Sequence, residues 1–98
     1  MEIDLDNLEI INNTAENRFE VKIGDKLALI EYIHSGNNII YTHTEVPEEL
    51  EGHGIAGKMA HHVMEYAKNE GLKVQPLCPF VKSYVNRHPE YQSISWGY

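Results

Sequence analysis

From Asn17 onward the chain alternates. Phe19, Val21 and Ile23 are apolar, and Glu20 and Lys22 between them are charged. A period of two over these positions predicts a half-buried strand. Gly24-Asp25 turns the chain. From Lys26 to His34 both sets of alternate positions are largely apolar: Leu27, Leu29 and Ile33 with Glu31 on one face, Ala28, Ile30 and Tyr32 on the other. A strand apolar on both faces belongs in the middle of a sheet. Ser35-Gly36-Asn37-Asn38 is a turn cluster, and Ile39 to Val46 is a third strand rich in β-branched residues. Short turns between strands predict an antiparallel meander. Pro47 lacks an N–H, so regular pairing ends there. Upstream, residues 1–15 are acidic with scattered Leu and Ile. Leu8, Ile10 and Ile11 are read either as a short edge strand or as a loosely attached segment.

After Glu51 the period changes. Ile55, Ala56, Met59, Ala60, Val63, Tyr66 and Ala67 recur at helical spacing, with Lys58, His61, Glu65, Lys68 and Asn69 opposite. This predicts one amphipathic helix from about Gly54 to Glu70, with Gly71 as its C-terminal cap. Leu72 to Leu77 reads as a short strand. A helical crossover makes it parallel to Ile39–Val46. Phe80 to Arg87 reads as a short helix with Pro79 at its first position, ended by Pro89. The aromatic tail, Glu90 to Tyr98, is expected to pack back on the sheet, with Trp96 and Tyr98 as packing residues. The order is β-β-β-α-β-α in a single domain spanning residues 1–98.

Length and charge narrow the function classes. At 98 residues there is room for one core. The net charge of −7 lacks the basic stripe of a nucleic-acid binder and suits a cationic partner. A single cysteine permits no internal disulfide. No apolar run approaches the ~20 residues of a membrane span, and the acidic start resembles no targeting peptide. The expectation is a cytoplasmic protein, a monomer or weak dimer, acting on neither nucleic acid nor membrane. Six histidines raise the question of a metal. His61 and His62 are adjacent, about 100° apart on a helix, and no His-x-x-x-His pair exists, so no metal site is expected.

The segment Gly52-His53-Gly54-Ile55-Ala56-Gly57 carries the most chemistry. Glycines at a strand-to-helix junction allow a sharp turn and a close backbone approach to a ligand. The first N–H groups of the helix lack internal partners, and the helix dipole adds positive potential. The segment is therefore suited to a phosphate or pyrophosphate. It has neither the Lys-Ser/Thr of a P-loop nor the third glycine of a dinucleotide fold.

Glu51-Gly52-His53-Gly54-Ile55-Ala56 resembles the acetyl-CoA signature of the GNAT acetyltransferase superfamily, Gln/Arg-x-x-Gly-x-Gly/Ala. Glu51 stands where Gln or Arg is usual. His43-Thr44-Glu45-Val46-Pro47, Cys78-x-Phe80-Val81-x-x-Tyr84-Val85 and Pro89-x-Tyr91 extend the likeness over roughly residues 15–92. They point to the small, stand-alone GNAT-like branch of about a hundred residues. The resemblance implies an α+β fold: a mixed sheet in which an antiparallel β-meander is followed by a β-α-β acetyl-CoA-binding unit and a short C-terminal helix.

It also implies an acetyl-CoA-dependent N-acetyltransferase acting on an unidentified amine; the alternative is a non-catalytic module that binds CoA or acetyl-CoA as a sensor or partner subunit. Gly52, Gly54, Ile55, Ala56 and Gly57 would cradle the pyrophosphate, with His53 and Lys58 adding contacts. Glu45, Val46 and the break at Pro47 would mark where the third strand splays from the fourth and pairs with pantetheine amides. Phe80, Val81 and Tyr84 would pack on the pantetheine arm, and Arg87 would meet the phosphate or adenine end. Cys78, at a helix N-terminus, would act either as a nucleophile or as the acid that protonates departing CoA. His43 would be a general base toward the amine or Cys78. Glu45, two residues on, would orient His43 or replace it.

Overall fold

The computed structural model describes residues 5–98; the acidic residues 1–4, in which no targeting peptide is read, lie outside them. A five-stranded sheet runs in the order β1 (Ile11–Asn13), β2 (Arg18–Ile23), β3 (Lys26–Ser35), β4 (Asn38–Glu45) and β5 (Lys73–Pro76). The first four strands are antiparallel, and β5 joins β4 in parallel. The mixed sheet is the one the α+β reading expected. Of the two readings of the N-terminal segment, the structure takes the edge strand, shortened to Ile11–Asn13.

Helix α1 (Ile55–Asn69) connects β4 to β5, and α2 (Pro79–Arg87) follows β5. α1 buries Ile55, Met59, Ala60, Val63, Met64 and Ala67. Met64 extends the apolar face beyond the positions picked out by spacing. Gly71 has a φ of +69°, and the Leu72 N–H donates to the Ala67 carbonyl at 2.9 Å, which closes the helix end.

Both helices lie on one face of the sheet. From β4, Tyr41 donates its hydroxyl to the Val63 carbonyl of α1 at 2.7 Å. From β2, the Phe19 ring meets His62 and Tyr66 edge-on. α2 and the 3-10 segment after it reach α1 through Tyr84, Tyr91, His61 and Glu65. The core between these layers contains Phe19, Ala28, Ile30, Tyr41, Val63 and Val81, each fully buried. Alternation places Leu27, Leu29, Glu31 and Ile33 of β3 on the other face.

The tail follows the outer edge of β5, where the Trp96 N–H donates to the Val74 carbonyl at 2.9 Å. Its backbone covers that edge, but Trp96 and Tyr98 stay 39% and 42% exposed, so neither is the packing residue that was expected. Among the described residues no helix is long and apolar enough to cross a membrane.

Candidate active site

A cleft opens where β4 leaves β5. Parallel pairing begins at Asn38–Lys73 and stops at Tyr41–Pro76. There the Tyr41 carbonyl accepts N–H groups from both Leu77 and Cys78, each at 3.0 Å. β4 continues to Glu45 without a β5 partner. The divergence was expected at Glu45–Pro47 and begins earlier. The reason is a bulge. Tyr32 pairs with Tyr41 and Glu31 with His43, which leaves Thr42 as the extra residue of β4. A bulge bends the strand that carries it.

The bulge also reverses which β4 side chains face the helices. Tyr41 points into the core. Unbroken alternation would put His43 and Glu45 on the same side. Thr44 instead pairs with Ile30 and takes the helix face, while His43 and Glu45 pair with Glu31 and Leu29 on the other. Thr44 Oγ1 lies 3.3 Å from Cys78 Sγ. His43 Nε2 lies 3.5 Å from a Glu45 carboxylate oxygen, and both side chains are more than half exposed. The proposed contact of His43 with Cys78 is therefore corrected: the sheet lies between them. The proposed neighbouring of His43 and Glu45 is what the geometry has.

The cleft measures about 700 Å³. Thr44 and Glu45 of β4, with Val46 just beyond it, form one wall, and Leu50, Glu51, Gly52, Gly54, Ile55, Ala56 and Gly57 form the loop and helix wall. Phe80 and Arg87 close it from α2. Gly52 and Gly54 both have φ of +81°, a backbone state that costs a side chain dearly. Gly54 caps α1, and the first intrahelical bond is Lys58 N–H to the Gly54 carbonyl at 3.1 Å. The N–H groups from Ile55 to Gly57 are thus outside the helix's own ladder. They share the cleft with the Arg87 side chain, a donor set that fits the phosphates of an elongated anionic ligand. His53 and Lys58 are exposed beside this wall without lining it.

Not every candidate on α2 reaches the cleft. Val81 is fully buried in the core. Tyr84 turns toward α1: its ring stacks on His88 at 3.8 Å, and its hydroxyl lies 3.4 Å from His61 Nδ1. Neither borders the ligand space, because the α2 face that carries them is the one buried against α1. Cys78 caps α2 and is 2% exposed. Thr44 stands between its sulfur and the cleft.

Comparison with known proteins decides the family. The family model for GCN5-related N-acetyl-transferases matches residues 18–94. The chain belongs to the GCN5-related N-acetyltransferase family. Protein NATD1 of Danio rerio is 28% identical over 89 residues, covering 86% of this chain and 81% of the relative. Protein NATD1 of Homo sapiens is 33% identical over 63 residues, covering 63% and 56%. A GCN5-like protein from Staphylococcus aureus, described from its solution NMR structure as an N-acetyltransferase candidate, superposes with a TM-score of 0.72 at 34% identity. That match covers 94% of this chain and 91% of the other.

Three residues of this GCN5-related cleft were not among the candidates: Thr44, Leu50 and Glu51. Thr44 is hidden by the bulge, which no periodicity announces. Leu50 was detectable as the lone apolar residue in an acidic run. Glu51 departs from the signature, and that departure is the one signal in the sequence that sets it apart from its acidic neighbours. Among the described residues, no group of three or more His, Cys, Asp or Glu side chains is placed to hold a metal ion.

A second polar cluster joins α1, α2 and the tail. Tyr91 donates its hydroxyl to Glu65 at 2.6 Å and lies 3.2 Å from His61 Nδ1. Burial, reinforced by the Glu65 bond, pushes the Tyr91 hydroxyl well above the ordinary phenol range. That bond in turn holds Glu65 below the usual carboxylate range. Tyr91 thereby remains a neutral donor that ties the tail to α1.

Proposed function

We propose that this chain is an acetyl-CoA-dependent N-acetyltransferase, with the co-substrate on the helix face of the cleft and the amine arriving from the opposite face. The observation that carries this reading is the division of β4 at Thr42. Thr44 and the glycine wall lie on one side and His43 on the other, while Glu45, beside His43 at the end of β4, also borders the cleft.

Gly52 to Gly57 offer backbone N–H groups to the pyrophosphate, and Arg87 adds a cation. The edge of β4 left free by β5 offers backbone groups to the pantetheine amides, as a sheet edge does to an added strand. A backbone N–H there also polarises the thioester carbonyl. The amine nitrogen attacks that carbonyl carbon, a C–N bond forms and the C–S bond breaks. His43, oriented by Glu45, takes the proton lost by nitrogen. The departing CoA sulfur takes the Thr44 hydroxyl proton, and Thr44 is reprotonated in the same step by the Cys78 thiol behind it. Solvent then returns both groups to their starting state. Cys78 acts as an acid in this scheme, because its sulfur is buried and His43 is on the wrong face to activate it as a nucleophile.

The test is release of free CoA thiol with and without an amine, alongside the intact mass of the protein after exposure to acetyl-CoA. The reading expects amine-dependent release, no acetyl group retained on the wild type, and a loss of about 10²-fold or more in His43→Gln. A hydroxylamine-labile acetyl adduct that vanishes in Cys78→Ala would replace the acid role with a nucleophilic one. CoA binding without release under any amine would leave a binding module.

A further inference from the structure

We infer that the acceptor is a lysine side chain within a polypeptide carrying an apolar residue close to that lysine, docked on the sheet face opposite the helices. This rests on the proposed acetyl transfer and names its substrate class. No described helix packs on that face. Register places two kinds of side chain there in adjoining rows. Ile33 of β3 pairs with Ile40 of β4, and Ile40 with Gln75 of β5. Ile33 is 54% exposed, near the end of β3 and beyond its pairing with β2, so this apolar side chain is open to a partner. Toward the divergence of β4 and β5, the next row holds Glu31 and His43, and Glu45 follows opposite Leu29. Apolar side chains thus adjoin carboxylates and the candidate base.

The charges favour a cation. Glu31 and Glu45 are the carboxylates nearest His43 in register. The neighbouring cation, Arg18, is engaged by Glu20, which also accepts from Asn13 at 3.1 Å. The apolar row excludes a partner that is only cationic: a polyamine would use the carboxylates and leave Ile33 and Ile40 in water. Along β4 the step from Ile40 to His43 is roughly 10 Å. An extended peptide covers that distance in about three residues. An acceptor nitrogen must also pass between the diverging strands to reach a carbonyl on the helix side. The long flexible stem of lysine suits that passage better than a main-chain amine.

Three acceptors test this with the full chain and acetyl-CoA: a peptide with lysine three residues from leucine, the same peptide with serine for leucine, and spermidine. Release of CoA thiol gives kcat and KM, and fluorescence anisotropy of the labelled peptide gives affinity without turnover. The expected result is preference for the leucine peptide. In Ile33→Asp its KM should rise about tenfold, as loss of an apolar contact implies, while the KM for acetyl-CoA stays unchanged. Ile33→Val should retain most of the wild-type value. Equal or better use of spermidine, or a peptide KM indifferent to Ile33→Asp, would overturn the proposal. So would a chain dimer in sedimentation that Ile33→Asp dissociates, since a second copy would then cover the face. Ile33-dependent peptide binding without acetyl transfer would uphold the docking surface and reject the transferase reading.

Discussion

Thr44 Oγ1 and Cys78 Sγ lie 3.3 Å apart, across the point where β4 and β5 separate. The contact exists because one extra residue in β4, Thr42, turns Thr44 rather than His43 toward the helices. If Cys78 is the acid, the Thr44 hydroxyl is the bridge between its thiol and the cleft. Thr44→Val keeps the side-chain shape and removes the hydroxyl. It should lower stability by about 1 kcal/mol. It should reduce kcat at least tenfold while the Kd for CoA stays within about twofold. Calorimetry for binding and thiol release for turnover separate the effects. A purely structural contact would leave kcat unchanged.

The glycine wall allows folding and binding to be tested apart. Gly54 has φ of +81°, and an added Cβ would lie 3.1 Å from the Leu5 side chain. Gly54→Ala should therefore cost about 1 kcal/mol or more in stability as well as weakening CoA. Gly57 sits in α1 with open space around an added Cβ. Gly57→Ala should raise stability by up to about 1 kcal/mol through helix propensity. It should also weaken CoA, because the new methyl enters the cleft. A Gly57→Ala protein that is more stable and binds CoA as tightly as the wild type would move the phosphates elsewhere.

Glu51 lines the same cleft with a carboxylate where the family signature has Gln or Arg. Like charge near a pyrophosphate opposes binding by about 1 kcal/mol in a solvated site. Glu51→Gln should tighten the Kd for CoA about fivefold at low salt, and the gain should shrink as salt is raised. Titrations at two ionic strengths check both statements.

Acid stability turns on Glu20. A hydrogen bond from Arg18 holds its carboxyl below the ordinary range, against the upward pull of burial and with help from Asn13. A carboxyl lowered on folding stabilises the native state fully above its unfolded pKa, and that stability fades as pH falls through the folded value. The loss should therefore set in below about 4.5. Glu20→Gln should flatten the dependence of Tm on pH in that window and leave the dependence near neutrality unchanged.

The order of strands and helices was legible because each element keeps one period over many residues. Phe19 to Ile23 alternate, and Ile55 to Ala67 repeat at helical spacing. The glycine wall was legible because only glycine holds a φ of +81° at low cost. The faces of the site were not. Alternation counted from Ile39 puts His43 inside, and a single unpaired residue at Thr42 reverses it. Nothing in local composition marks that residue, since the bulge arises between two strands. The α2 face was hidden for a similar reason. Its periodicity shows that Val81 and Tyr84 share an apolar side, but not that α1 takes that side and leaves Phe80 and Arg87 to the cleft.

The most direct test of the central claim is a titration of the nitrogen-15-labelled chain with acetyl-CoA, followed by amide chemical shifts. The account predicts saturable shifts at Gly52, Gly54, Ile55, Ala56 and Gly57, at Thr44 to Val46, and at the Arg87 end of α2. The amides of β1 and β2 should stay in place. Saturable shifts confined to other surfaces, or none at millimolar acetyl-CoA, would contradict it.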